Sequence, residues 1–498
     1  MLEYLKQASN LTTTENGAVT YASTGSDCLD LFAAIGALRS APDSEIVARF
    51  DRAWAENRNL AVKLLFYARD VRGGLGERRV ARVILRHLAS ISPETVSKYM
   101  DKLPEYGRWD DVVCLLDTPC EAAAVALIRK QLTQDAAALE QGKPVSLCAK
   151  WLPSVNASSL ETVEQAKKLV LLLGTSERDY RRALATLRRQ IRIIENNLRE
   201  QDYSFDYAKQ PSKAMLKYRK AFWRNDGERY GKYLEDVAAG RAKLHTDTLA
   251  PYELVQPVLG EVCSNYGNLI THMREISPEE QKTLNTTWDA LPDYACAGNC
   301  LAVVDTSGSM YNGSKPMPAA VALSLGLYLA ERNHGKFGGH FIEFSGQPVL
   351  VEVKGETFCD RLRYVASFNK IANTNVAAVF NLILMTALSN GLPQSELPER
   401  LIFISDMEFD AVADGAAISN FEQAKQNYAR SGYRLPEIVF WNVQSRNRQM
   451  PVAKNERGVT LVSGCTPRIF SMLLDGKLDP YQFMTETLNS ERYRGFTA

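Results

Sequence analysis

Over roughly the first 290 residues, apolar positions recur at the spacing of one-sided helices. In GERRVARVILRHLASI, the residues Val80, Val83, Ile84, His87, Leu88 and Ile91 fall at i, i+3, i+4, i+7, i+8 and i+11. That spacing predicts a helix with Arg79, Arg82 and Arg86 on its wet side. The next helix has its start written out: Ser92 as N-cap, Pro93 at the first position, and Glu94 where the helix dipole favours a carboxylate. Thr118-Pro119 and Ser158-x-x-Glu161 repeat that grammar. Successive capped helices with almost no two-residue alternation predict an α-helical array of stacked pairs. No clean repeat period separates that from a long irregular bundle.

Past Tyr294 the pattern changes. NCLAVVD, GHFIEF, PVLVEV, RLIFISD, EIVFWN and GVTLVSG are short β-branched and aromatic runs, with helical stretches such as PMPAAVALSLGLYLAERN between most of them. Strand alternating with helix predicts a largely parallel, doubly wound sheet covered on both faces. The expected division is a helical module over 1–294 and an α/β domain over 295–498, with SPEEQKTLNTTWDALPDYACAG as the junction.

A chain of 498 residues fits this two-domain picture, since one hydrophobic core rarely serves so many. The amino-terminal MLEYLKQASN has no signal-like apolar stretch and no run approaches a membrane span, so the expected location is cytoplasmic. Nine scattered cysteines read as reduced core thiols, and the Cys296/Cys300 spacing suits neither a zinc knuckle nor a redox motif.

The chemistry concentrates after CLAVVD. That strand runs into DTSGSM, and ligand sites of open α/β sheets lie at the carboxyl ends of strands. Asp305, Ser307 and Ser309 set three oxygen donors at alternate positions in a turn that Gly308 permits. Thr374, preceding a helix, and Asp406, ending the strand RLIFISD, add two more. Oxygen donors alone suit a small hard cation, Mg²⁺ or Mn²⁺, in near-octahedral array. An isolated D-x-S-x-S is as readily a polar turn or a helix cap. These five residues together resemble the metal-ion-dependent adhesion site (MIDAS) of von Willebrand factor A domains. The resemblance implies a magnesium-type ion whose open position takes an acidic group of a protein partner. No nucleophile and base pair accompanies the loop, and His334 and His340 belong to a connection and the following strand, so the expectation is no enzyme.

A net charge of +1 conceals a basic tract: residues 143–243 hold 21 Lys and Arg against 12 Asp and Glu. Local basicity is what a polyanion meets. In ERDYRRALATLRRQIRIIENNLRE the spacing predicts one long helix, with Tyr180, Leu184, Leu187, Ile191, Ile194 and Leu198 facing a core. Arg181, Arg182, Arg188, Arg189, Arg192 and Arg199 line its other side. Guanidiniums so crowded suit phosphate. A second cluster interleaves Lys213, Lys217, Arg219, Lys220 and Arg224 with Tyr218, Phe222, Trp223 and Tyr230. Cations beside stackable aromatics suit single-stranded nucleic acid, although the aromatics alone read equally as a buried stripe. With Lys150 these make the candidate RNA-binding set.

A helical array followed by such a metal loop resembles the Ro-type RNA-binding proteins, whose TROVE module is a ring of HEAT-like helices closed by a von Willebrand factor A domain. The blocks LLFYARDVRGGLGERR, YGRWDDVVCLL, AKWLPS, the tract from Lys213 to Tyr252, CLAVVDTSGSM and EIVFWN are similar to those of an uncharacterised relative of that family. The resemblance implies a cytoplasmic, ribonucleoprotein-type protein that binds single-stranded ends or a structured small noncoding RNA. The alternative is a metal-dependent protein-interaction adaptor that binds no RNA.

Overall fold

A computed structural model describes residues 1, 5, 10–191, 193–265, 268–294, 298–311, 314–344, 347–368, 374–410, 419–473 and 479–498. The amino-terminal half is helix-rich and the carboxy-terminal half is a mixed α/β sheet. The chain forms two compact units, one of Met1–Leu64 with Pro211–Phe496, the other of Leu65–Gln210 with the last two residues. That division does not fall at the expected boundary between 294 and 295. The reason lies in the first sixty residues. They are not an outlying part of the helical array, because Ala18 and Ala33 belong to the same apolar cluster as Phe403 and Phe440 of the sheet.

The first unit begins with a hairpin, β1 (Leu11–Thr13) and β2 (Val19–Tyr21), in a region where only helices were expected. A second hairpin, β3 (Leu259–Asn265) and β4 (Asn268–Met273), also interrupts the expected run of helices. Then come β5 (Cys300–Asp305), β6 (His340–Phe344), β7 (Val349–Glu352), β8 (Arg400–Ser405), β9 (Glu437–Asn442) and β10 (Val459–Ser463). All six expected strands form one sheet in the order β10-β9-β8-β5-β6-β7. Every pairing is parallel except β6 with β7. β5 and β8 are buried at every position, as strands covered on both faces must be. The helix Pro318–Arg332 packs on β5 so closely that a Cβ at Gly326 would stand 2.3 Å from Val304 Cγ2. This glycine fixes how near the helix comes to the strand that carries Asp305.

The second unit is helical, and two expectations about its faces need correction. The helix Arg79–Ile91 buries Val80, Ala81, Ile84, Leu85, Leu88 and Ala89, so its core stripe is rotated toward Ala81 and Leu85, and Ile91 is exposed. Arg82 is not on a wet face but half-buried, while Arg79 and Arg86 are exposed as expected. Arg82 Nε lies 2.6 Å from Asp111 Oδ1, Arg86 donates to the Cys114 carbonyl at 2.6 Å, and Arg69 Nε donates to the other oxygen of Asp111 at 2.7 Å. Asp111 is therefore a buried carboxylate between two guanidiniums, which offsets its desolvation. A Cβ at Gly107 would fall 2.1 Å from Asp111 Oδ2, so YGRWDD needs its glycine. The start signals hold with small shifts: Pro93 opens the helix Pro93–Lys98, and Ser159, not Ser158, caps Leu160–Leu173.

Candidate functional site

The carboxyl ends of β5 and β8 are adjacent, with Val304 paired to Ile404. Their register brings Asp305 beside Ser405 and near Asp406. Asp305 is fully buried. It accepts from the Ser307 amide at 2.9 Å and from the Ser405 hydroxyl at 2.5 Å. Burial first, and then repulsion from Asp406, push its pKa well above the usual carboxylate range, while the hydrogen bonds from Ser405 and Ser307 only partly offset this. Ser307 Oγ and Ser309 Oγ are 3.1 Å apart. Thr374, buried just before the helix Val376–Asn390, is tied to the same rim because its carbonyl accepts from the Asp410 amide at 2.9 Å.

Two carboxylates and three hydroxyls, with one carboxylate buried among too few compensating charges, are a donor set suited to a hard divalent cation. Asp305, Ser307 and Ser309 are in direct hydrogen-bonded continuity, Asp406 acts on Asp305 through charge, and Thr374 joins through the chain after Asp406.

Sequence reasoning missed the groups that hold these donors. Ser405, one residue before Asp406, was available in the motif RLIFISD. Thr306 donates to the buried Glu343 carboxylate at 2.6 Å and fixes the loop to β6. Met407 adopts a left-handed φ of 67°, a strained value for a residue with a Cβ, and turns the chain after Asp406. Arg446 reaches Asp406 Oδ2 with Nη2 at 2.9 Å and Glu15 with Nη1 at 3.1 Å. The turn between β1 and β2 lies on the same rim. The Glu15 amide donates to Glu408 at 3.0 Å, and the Asn16 side chain donates to the Glu408 carbonyl at 2.7 Å and contacts Thr374 Oγ1 at 3.4 Å. No pattern in the sequence links residues almost 400 positions apart.

The basic residues divide into two groups. In the helical unit, the expected long helix is two, Glu177–Gln190 and Ile194–Arg199, because the chain turns extended at Ile191. Arg192 lies outside the described residues. Arg181, Arg182 and Arg189 are exposed and, among the described residues, have no hydrogen-bond or ion-pair partner. Arg188 is different: half-buried, it donates to the carbonyls of Ala149 (2.8 Å) and Leu152 (2.8 Å), closing the end of the short helix Cys148–Trp151. Lys150, half-buried, lies 5.4 Å from the Trp151 ring centre. A groove of about 460 Å³ is lined by Arg178, Arg181, Arg182 and Arg188 with Asn156 and Tyr180. No carboxylate lines it among the described residues.

The second cluster is largely neutralised by its own unit. Arg219 is a half-buried partner of Glu280, with Nε at 3.0 Å. Lys220 shares Glu280 at 3.5 Å, and Lys213 pairs with Glu253 at 3.2 Å. Lys217 lies 4.7 Å from the Tyr218 ring centre, and Arg224 is exposed. The aromatics are not a stacking platform. Phe222 and Tyr230 are buried edge to face at 5.2 Å, and Trp223 packs on Tyr230 and donates to Thr283 at 2.8 Å. The buried-stripe reading holds for Phe222 and Tyr230, whereas Tyr218 and Trp223 are half-buried.

No helix among the described residues is long and apolar enough to cross a membrane. Two family models match the chain, both described as domains of unknown function: DUF2828 over residues 14–117 and 161–294, and DUF7788 over residues 299–493. "Uncharacterized protein L728" of Acanthamoeba polyphaga mimivirus is 28% identical, over 97% of this chain and 90% of that protein. Among solved structures, the Ro (RSR) protein of Deinococcus radiodurans aligns with a TM-score of 0.44 and 16% identity, over 89% of this chain and 93% of that one.

Proposed function

We propose that this protein is a non-catalytic RNA-binding protein whose helical unit, read as a HEAT-like array, grips the backbone of single-stranded RNA, and whose α/β unit carries a divalent-cation loop for partner contact. The observation that supports the first part is the groove of Arg178, Arg181, Arg182 and Arg188, whose lining, among the described residues, offers guanidiniums and no carboxylate. Exposed arginines without partners repel one another, and a phosphate chain relieves that repulsion while satisfying planar donor forks. Arg189 extends the exposed face by one residue.

In the second part, Asp305, Ser307, Ser309, Thr374 and Asp406 would hold one Mg²⁺ or Mn²⁺. The ion would supply positive charge and an open coordination position to an acidic group. The chain's own residues do the positioning: Ser405 and the Ser307 amide orient Asp305, and Thr306 with Glu343 fixes the loop. Neither histidine near the sheet serves the loop, since His340 Nδ1 is 2.8 Å from the Gly338 carbonyl and His334 is exposed beside Asp293.

The test is binding of a fluorescent single-stranded oligoribonucleotide against salt. Each neutralised phosphate of a single strand contributes a slope of about −0.7 in log K against log salt. Reversal of Arg181, Arg182 and Arg189 to Glu should flatten that slope by about 2 and weaken binding roughly a hundredfold or more, with the helical circular dichroism unchanged. Unaltered affinity in the triple variant would remove the groove from the reading. Asp305→Ala should spare RNA binding and abolish any metal-dependent capture of a partner; capture that depends on Asp305 in a wild-type chain that binds no RNA would favour the adaptor.

A further inference from the structure

We propose that Arg446 is an internal competitor for the cation loop: its guanidinium and a divalent ion exclude one another at Asp406, and Glu15 of the amino-terminal hairpin holds the guanidinium in the competing position. This inference rests on the cation reading of the Asp305 loop and adds to it what sets the loop's affinity. The geometry is specific. Arg446 follows β9 in the chain, and its planar fork spans two carboxylates from distant segments, Asp406 at 2.9 Å and Glu15 at 3.1 Å. Asp406 is buried, whereas Glu15 is about half exposed.

Glu15 is itself a fixed anchor. Its backbone amide donates to Glu408, its carboxylate accepts from Asn447 Nδ2 at 2.8 Å, and the same Asn447 donates to Glu408 at 2.9 Å. Gln449 adds a donor to Glu408 at 2.6 Å. The hairpin is clamped on either side of Glu15, by Thr14 Oγ1 on the Phe409 carbonyl and by the reciprocal backbone bonds of Tyr21 and Met450. Arg446 is thus positioned from the outside by a rigid strap and neutralises the carboxylate a metal would use.

A guanidinium at hydrogen-bond distance from Asp406 would leave the ion and the side chain as like charges in a site of low effective dielectric, where repulsion is strong. An ion therefore binds only by displacing Arg446 from Asp406, against the hold of Glu15. The imbalance within the carboxylate pair agrees with this arrangement, because the guanidinium bonds to Asp406 and none bonds to Asp305 among the described residues. A lysine at this position could not bridge both carboxylates with a planar fork.

The experiment measures Mn²⁺ binding to the full chain by the loss of the free-ion electron paramagnetic resonance signal, in wild type, Arg446→Met, Arg446→Lys and Glu15→Gln. Arg446→Met should bind Mn²⁺ at least tenfold more tightly than wild type, and Mg²⁺ should displace the Mn²⁺. Arg446→Lys and Glu15→Gln should fall between the two. Equal or weaker binding by both Arg446→Met and Glu15→Gln would overturn the competition while leaving the cation reading intact. Absence of Mn²⁺ binding in every folded variant would overturn both. Should Arg446→Met fail to fold, Glu15→Gln, which alters a half-exposed side chain, carries the same comparison. A wild-type affinity that Glu15→Gln leaves unchanged would then count against the proposal.

Discussion

Replacing Asp305 by asparagine tests the cation loop through folding stability, without any need to know the partner. The carboxylate is fully buried, raised in pKa by burial and by Asp406, and held by two hydrogen bonds. In the ion-free protein it is therefore a liability. An amide of the same shape removes the charge. It keeps an acceptor for the Ser307 amide but turns a donor toward Ser405, whose hydroxyl already accepts from the Met407 amide at 3.0 Å. Losing one charge-assisted hydrogen bond costs about 1.5–3 kcal/mol. Relieving an unpaired buried charge returns roughly 3–5 kcal/mol. The net expectation is a gain of about 1–2 kcal/mol in EDTA, equivalent to a rise of roughly 2–4 °C in melting temperature for a unit of this size. Wild type should show the opposite dependence on metal. With a dissociation constant of about 1 mM, about 10 mM Mg²⁺ stabilises it by about 1.4 kcal/mol, and the asparagine variant gains nothing. Differential scanning calorimetry in EDTA and in Mg²⁺ reads both effects. A variant that is less stable than wild type in EDTA, or that still responds to Mg²⁺, would refute the reasoning.

Three further outcomes follow from the packing. Arg188→Met should destabilise the helical unit by about 1–3 kcal/mol, because it leaves the Ala149 and Leu152 carbonyls without their donor; its effect on RNA affinity should be much smaller than that of the Arg181, Arg182 and Arg189 reversals, as paired denaturation and anisotropy measurements would show. Gly107→Ala should cost about 3–5 kcal/mol, since the new Cβ must displace Asp111 from Arg69 and expose the buried triad; a urea midpoint within experimental error of wild type would contradict it. Glu45, held by Arg448 and Arg49, has its pKa lowered from 4.5 to about 2. Its stabilising contribution is therefore present above about 4.5 and lost as pH falls toward 2, so the melting-temperature gap between wild type and Glu45→Gln should close over that interval.

The sheet was legible because it obeys local rules. A strand buried on both faces must be continuously apolar, and CLAVVD and RLIFISD are; that Asp305 and Asp406 share one rim was implied by the resemblance of the loop to a metal-ion-dependent adhesion site, and the pairing of β5 with β8, with two strands between them in the chain, is what brings them together. The rim that completes the site was not legible for the opposite reason. Glu15, Asn16 and Arg446 act through contacts spanning most of the chain, and nothing in TTENGAV distinguishes a hairpin turn that touches the loop from one that does not.

The basic tract shows where charge counting stops being informative. Arg181, Arg188 and Arg219 are indistinguishable as symbols in a sequence, yet one is exposed in a groove, one caps a helix end, and one is half-buried and paired with Glu280. What separates them is the nearest acceptor. Arg188 meets carbonyls left unpaired where the helix Cys148–Trp151 ends, and Arg219 meets a carboxylate brought by a helix sixty residues later. The excess positive charge of residues 143–243 is therefore not spread evenly over a surface. Part of it is neutralised by ion pairs at Lys213, Arg219 and Lys220, whereas Arg181, Arg182 and Arg189 keep no partner among the described residues and stand together on one helix beside the groove.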